Sequence, residues 1–157
     1  MVALAAGAAY FLGDGAATPT ATPTMTPAST SSAAAVATIG QYAGIVNSSI
    51  TDIRKDWSSY DRNCWNRSPR LATCPIAALS LGMAGQILDL KLQGAAKLGA
   101  PAYIGAPPAE IARLVADTQD AARKLSTVGQ AQTVDEMQLF LAVSDLLDQF
   151  DRWEPYI

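Results

Sequence analysis

The sequence predicts an all-α fold, an antiparallel up-down-up-down four-helix bundle preceded by an apolar N-terminal segment and a disordered Thr/Pro-rich stalk. From Val36 onward, apolar residues recur at steps of three and four, which is the spacing of one face of a helix. Short stretches rich in Pro, Gly, Asn and Ser divide this pattern into four segments, and short loops join antiparallel neighbours. We expect an apolar segment at 1–13, a linker at 14–32 and the helical domain at 33–157.

The N-terminal segment contains the apolar run VALAAGAAYFLG at residues 2–13. This run has the length of a signal-peptide core and falls short of the ~20 residues that cross a bilayer. Neither Lys nor Arg precedes it, and no convincing small-x-small cleavage site is present. We expect part of a longer membrane anchor. A weak signal sequence and an apolar end packed on the body are the alternatives.

The linker contains TPTATPTMTP at residues 18–27, in which Pro recurs at every fourth position. Such a stretch buries little apolar surface and favours an extended, polyproline-like backbone. Ser and Thr continue through 28–32, as in the Ser/Thr/Pro-rich stalks of secreted and surface proteins, which are often O-glycosylated. An unmodified linker is the alternative. We therefore expect an extracytoplasmic location, either membrane-anchored or secreted.

The first helix is expected over residues 33–61, and the sequence NCWNRSPRLATCP at 63–75 ends its pattern. Its apolar residues form a heptad seam that favours packing at a shallow angle. The seam consists of Val36, Ile39, Ala43, Val46, Ile50, Ile53, Trp57 and Tyr60.

The second helix is expected to begin at Pro75, which suits a first helical turn. Its apolar residues form two neighbouring stripes and therefore a wide apolar face, and three glycines in it predict close approach of another backbone. One stripe is Ile76, Leu79, Met83, Ile87 and Leu90; the neighbouring stripe is Leu81, Ala84, Leu88 and Leu92; the glycines are Gly82, Gly85 and Gly94.

The third helix is expected after Pro107 and Pro108 and should stop at Gly129. A capping box in TVDE at 133–136 predicts that Thr133 caps a fourth helix. The inward residues of the third helix should be Ile111, Leu114, Val115, Thr118, Ala122, Leu125 and Val128; those of the fourth should be Met137, Phe140, Val143, Leu147 and Phe150, flanked by Leu139, Leu141, Leu146 and Trp153.

Cys64 and Cys74 are the only cysteines, and they bracket the first predicted interhelical turn. In an antiparallel helix pair the end of one helix faces the start of the next, so the two residues can meet at disulfide distance. A redox or metal pair is the alternative, but redox chemistry favours Cys-x-x-Cys, and two thiolates leave zinc half coordinated. We expect a structural disulfide in an oxidising compartment.

Composition excludes several functions. The sequence has no histidine, the commonest general base and metal ligand, and it contains neither Gly-x-Ser-x-Gly nor a phosphate-binding glycine loop. Its net charge of −3 offers no positive field to a nucleic acid. The acidic row Asp145, Asp148 and Asp151 has too few oxygens for calcium. We expect no catalytic residues, no cofactor, no metal and no nucleic-acid partner.

The surplus of apolar surface on the second and fourth helices predicts a non-enzymatic, membrane-tethered module that binds another protein, acts as an accessory subunit or self-associates. The candidate interaction surface is Trp65, Arg62, Arg67, Leu139, Leu146 and Trp153. The alternative is a bundle that binds a small apolar ligand in an interhelical cavity lined by Trp57, Met83 and Phe140.

Overall fold

The structure, a computed structural model, describes residues 30–100 and 103–157. The expected segment at 1–13 and most of the expected linker lie outside these residues. The described chain forms four α-helices and a final 3-10 turn: α1 Thr30–Asn63, α2 Cys74–Ala96, α3 Ala109–Gly129, α4 Glu136–Asp151 and the turn Glu154–Tyr156. Each helix packs on the next along the chain, and α1 also touches α4. This confirms the predicted all-α up-down bundle, with α1 beginning three residues before its expected start.

The heptad seam of α1 forms its buried face from Ala43 to Tyr60, with Ile39 and Trp57 half-buried. Val36 is exposed, contrary to the prediction. The reason is length, since α1 has 34 residues and α2 only 23, so the first turns of α1 extend beyond their neighbour. Tyr42, which is not in the seam, is fully buried, and its hydroxyl donates to the carbonyl of Gly105 at 2.6 Å.

Only one of the two predicted apolar stripes of α2 packs on the core. Leu81, Leu88 and Leu92 are fully buried, whereas the stripe from Ile76 to Leu90 faces away from the core. The glycines explain the choice, because Gly82 and Gly85 lie on the buried side and bring the backbones of α2 and α3 together. A Cβ on Gly85 would lie only 2.7 Å from the carbonyl oxygen of Ala122.

The inward face of α3 is as predicted, with Val128 half-buried. The predicted Thr133 cap of α4 is wrong. Asp135 is the N-cap, and its Oδ1 accepts from the backbone N–H of Gln138 at 3.0 Å. The helix then begins at Glu136, whose Oε1 lies 2.9 Å from the Nε of Arg70 in an ion pair that lacks hydrogen-bond alignment.

The face of α4 that packs on the core consists of Leu139, Ala142, Val143, Leu146 and Phe150. Met137 and Phe140, which belong to the predicted main stripe, are exposed, and Leu147 is half-buried. The residues expected only to flank the stripe therefore supply much of the core, because the helix is rotated by roughly a quarter turn from the predicted orientation.

Candidate functional site

The disulfide closes one end of the bundle. Cys64 and Cys74 are bonded and buried, with their Cα atoms 5.5 Å apart, at the junction between the end of α1 and the first residue of α2. The predicted pairing is confirmed. Disulfides persist in oxidising compartments, so this one indicates an extracytoplasmic environment.

Four aromatic rings gather at the same end, and we call them the aromatic cluster: Trp57, Tyr60, Trp65 and Phe140. Trp65 lies 5.1 Å from Phe140 and 6.2 Å from Trp57, measured between ring centroids. Sequence reasoning found no packing role for Trp65, and the structure supplies one, since this half-buried ring joins the disulfide loop to α4.

The two arginines of the candidate surface are exposed and donate to the backbone. Nε of Arg62 donates to the carbonyl of Ser58 at 3.0 Å, and both Nε and Nη2 of Arg67 donate to the carbonyl of Arg62 at 3.2 and 2.7 Å. The carbonyl of Arg62 lies in the last turn of α1, where carbonyls lack a helical partner, and Arg67 satisfies it. Their contacts are those of residues that terminate α1.

The other three residues of the candidate surface are not surface residues. Leu139, Leu146 and Trp153 are fully buried. The indole Nε1 of Trp153 donates to the Oγ1 of Thr118 at 2.9 Å, and that hydroxyl donates to the carbonyl of Leu114 at 2.7 Å. This part of the predicted surface is corrected, because Leu139 and Leu146 lie on the core-facing side of α4 and Trp153, just after the end of α4, is also buried in the core.

The predicted ligand-cavity residues do not line one cavity. Trp57 and Phe140 touch within the aromatic cluster, their ring centroids 6.0 Å apart. Met83 lies instead in an open groove of about 300 Å³ between α1 and α2, beside Asp52 and Lys55. The structure therefore gives no common site to these three residues.

The exposed apolar surface of α2 is the most unusual feature of the described chain. We call it the outer stripe: Ile76, Leu79, Met83, Ile87 and Leu90, which are 42–66% exposed. At 100° per residue these side chains lie on the side of α2 opposite Leu81 and Leu88. A helix that is apolar on both sides is normally covered on both sides.

Charge is nearly absent from this helix. Asp89 and Lys91 are its only charged residues, and Asp89 is buried on the opposite side, where its carboxylate accepts from Gln93 at 2.7 Å and pairs with Arg123 at 3.4 Å. The five side chains of the outer stripe expose on the order of 500 Å² of apolar surface, at the upper end for the largest patch of a soluble monomer. The largest apolar patch of a monomer is often a functional surface.

A smaller apolar area lies on α4, where Met137 and Leu141 are exposed beside Phe140 of the aromatic cluster. Charged residues, Glu136 and Asp145, adjoin this area, whereas no charged residue lies among those of the outer stripe of α2. The outer stripe is therefore the stronger candidate for an interaction surface. The sequence signal for this surface is the pair Gly82 and Gly85, which lie on the buried side of α2 and so identify the outer stripe as the exposed side.

Two buried tyrosines have shifted acidity. Burial raises the pKa of Tyr42, with a further contribution from Tyr103. Burial also raises the pKa of Tyr60, which Glu136 raises further and Arg70 lowers. Both phenols are therefore neutral at physiological pH, and neither is prepared to act as a base.

Among the residues that the structure describes, no group of three or more His, Cys, Asp and Glu side chains is arranged to hold a metal ion.

Within residues 30–100 and 103–157, no helix has the length and apolar character needed to cross a membrane. Comparisons with protein-family models, with curated protein sequences and with solved structures found no match to this chain.

Proposed function

We propose that this protein is a non-enzymatic, extracytoplasmic helical module that binds another protein through the outer stripe of α2. Residues 1–13 and the linker at 14–32 hold it near a membrane. One observation carries this proposal. The exposed side of α2 is apolar and uncharged from Ile76 to Leu90, although the other side of the same helix already supplies the core. Covering each of these side chains is favourable by up to about 1.5–3 kcal/mol, so a partner gains affinity there.

The surroundings of the outer stripe fit a protein interface. Polar residues border an apolar centre, as they do in protein–protein contacts, with Asp52, Lys55 and Lys91 on the side of α1 and Gln86 and Gln130 on the side of α3. Flexible Met83 lies at the middle of the stripe, and methionine adapts well to the shape of a partner.

Photo-cross-linking of the full chain in its native membrane tests the proposal. Benzoylphenylalanine at Leu79 should yield a discrete protein adduct, whereas the same group at Ala116, an exposed position on α3, should not. Ile87→Lys should abolish the adduct formed from position 79, and Thr127→Lys on α3 should leave it intact. Both lysine variants replace exposed residues, so their unfolding midpoints should match the parent protein.

Equal adduct yields from positions 79 and 116, adducts with lipid alone, or no adduct from position 79 would each contradict a protein-docking role for the outer stripe. Loss of the adduct in Thr127→Lys would show that the contact is not confined to the outer stripe and also depends on α3.

A further inference from the structure

We infer that the partner of the outer stripe is a second copy of this chain, with the two α2 helices antiparallel and Met83 at the two-fold axis. This inference rests on the proposed function, whose docking surface it uses, and specifies the occupant of that surface. Three properties of the stripe support it: its spacing, the charges at its edge and its size.

The spacing of the outer stripe is the same in both directions along α2. Its residues are separated by three, four, four and three positions, symmetric about Met83. In a two-fold antiparallel pair, Ile76 therefore lies opposite Leu90 of the other copy, Leu79 lies opposite Ile87, and Met83 meets itself. This spacing places apolar residues opposite apolar residues, which suits a two-fold contact because one surface must then complement itself.

The edge of the stripe carries both signs of charge. Asp52, Lys55 and Asp56 of α1 line the groove beside Met83, together with Lys91 of α2. A two-fold axis perpendicular to α2 and lying in the contact plane places α1 of one copy against α1 of the other, in reversed direction. An edge of one sign would repel its own copy.

The size of the stripe is compatible with a homodimer. It extends about 21 Å along α2, at about 1.5 Å per residue over its fourteen residue steps. Its exposed apolar area, on the order of 500 Å² per copy, gives about 1,000 Å² for the pair, which is the lower limit for a specific interface. Pairing two stripes buries no unpaired charge, because Asp89 is turned towards α3 and paired with Arg123.

Cysteine cross-linking of the full chain tests the geometry. Met83→Cys should form a disulfide-linked dimer on mild oxidation, because a two-fold axis brings the two Cβ atoms within the ~4 Å that the bond requires. Ile76→Cys alone should not cross-link to itself, whereas a mixture of tagged Ile76→Cys and Leu90→Cys chains should form the mixed dimer. Met137→Cys on α4, which is exposed to a similar degree, serves as the matched control and should stay monomeric.

Peptide mapping without reduction should show the native Cys64–Cys74 bond intact in each variant, which separates true cross-links from disulfide exchange. Sedimentation equilibrium of the unsubstituted chain provides a second measurement, in which a dimer should form and Ile87→Lys should return it to monomer.

Self-cross-linking of Ile76→Cys would overturn the antiparallel arrangement. A chain that stays monomeric at all concentrations, with Met83→Cys unlinked, would overturn self-association. If the photo-adduct at position 79 then has the mass of a different protein, the proposed function survives with another occupant. If that adduct is also absent, both proposals fail.

Discussion

Replacing Gly85 with alanine tests the close approach of α2 and α3. The added Cβ would lie 2.7 Å from the carbonyl oxygen of Ala122 and 3.2 Å from the backbone nitrogen of Ser126. Both atoms belong to the backbone of α3, so relief requires the helices to move apart. Overpacking of this kind costs about 1–3 kcal/mol, and alanine returns about 1 kcal/mol through its higher helix propensity. We expect a net loss of up to about 2 kcal/mol.

Gly44→Ala is the matched control. Gly44 is also a helical glycine, but a Cβ there has no atom within 4 Å. Only the propensity gain remains, so this variant should be more stable than the parent by about 0.4–1 kcal/mol. The two glycine-to-alanine changes should therefore move stability in opposite directions.

Urea unfolding followed by far-ultraviolet circular dichroism measures both effects, with the free energy of unfolding taken by linear extrapolation. An unchanged slope with urea concentration shows that the unfolded states are comparable. If Gly85→Ala is stabilised as much as Gly44→Ala, the backbones of α2 and α3 are not in contact at this point. The assignment of buried and outer sides on α2 would then be wrong.

Three further predictions concern the disulfide, the buried hydrogen bonds and a tyrosine. Cys64→Ser should destabilise the fold by about 3 kcal/mol in the chain-entropy model, and an unchanged urea midpoint would contradict this. Thr118→Val leaves the Trp153 indole N–H without its acceptor and should cost about 1–3 kcal/mol in urea unfolding, whereas Thr127→Val at an exposed site should cost less than about 0.5 kcal/mol. Burial raises the pKa of Tyr60 above its ordinary value of 10.0. The contribution of the neutral Tyr60 side chain to the free energy of unfolding is therefore complete below pH 10.0 and is lost as pH rises through the folded-state pKa. The urea midpoint should therefore fall in this alkaline range, and less steeply in Tyr60→Phe; identical pH profiles would refute this.

The helices were predictable because their apolar spacing is regular, and the disulfide because both cysteines bracket a turn. The inward side of α2 could not be predicted in the same way. Leu81 and Ile87 are equally apolar, and hydrophobicity cannot distinguish two apolar stripes on one helix. Backbone approach decides the orientation, because only the side that carries Gly82 and Gly85 can pack this closely against α3. The glycines were recognised as contact residues, but their position relative to the two stripes was not used.

The wrong residues in the predicted interaction surface have the same cause, namely that a helix with two apolar stripes does not reveal which stripe is buried. The surplus of apolar residues on α4 predicts that Leu139 and Leu146 lie on the surface, yet both are buried. Trp65 was correctly placed at the cysteine loop, but its contact with Phe140 depends on the tertiary approach of α1 and α4, which no local pattern encodes. The surplus apolar surface itself was correctly expected on α2, though the interaction surface was assigned to other residues.

The most direct test of the docking surface compares oxidation of two methionines by hydroxyl-radical footprinting. Met83 in the outer stripe is 49% exposed and Met137 on α4 is 56% exposed, so both should react at similar rates in the dilute, purified chain. In the native membrane, Met83 should be strongly protected and Met137 should react as before. Equal reactivity of Met83 in both settings would contradict the claim that another protein chain covers the outer stripe of α2.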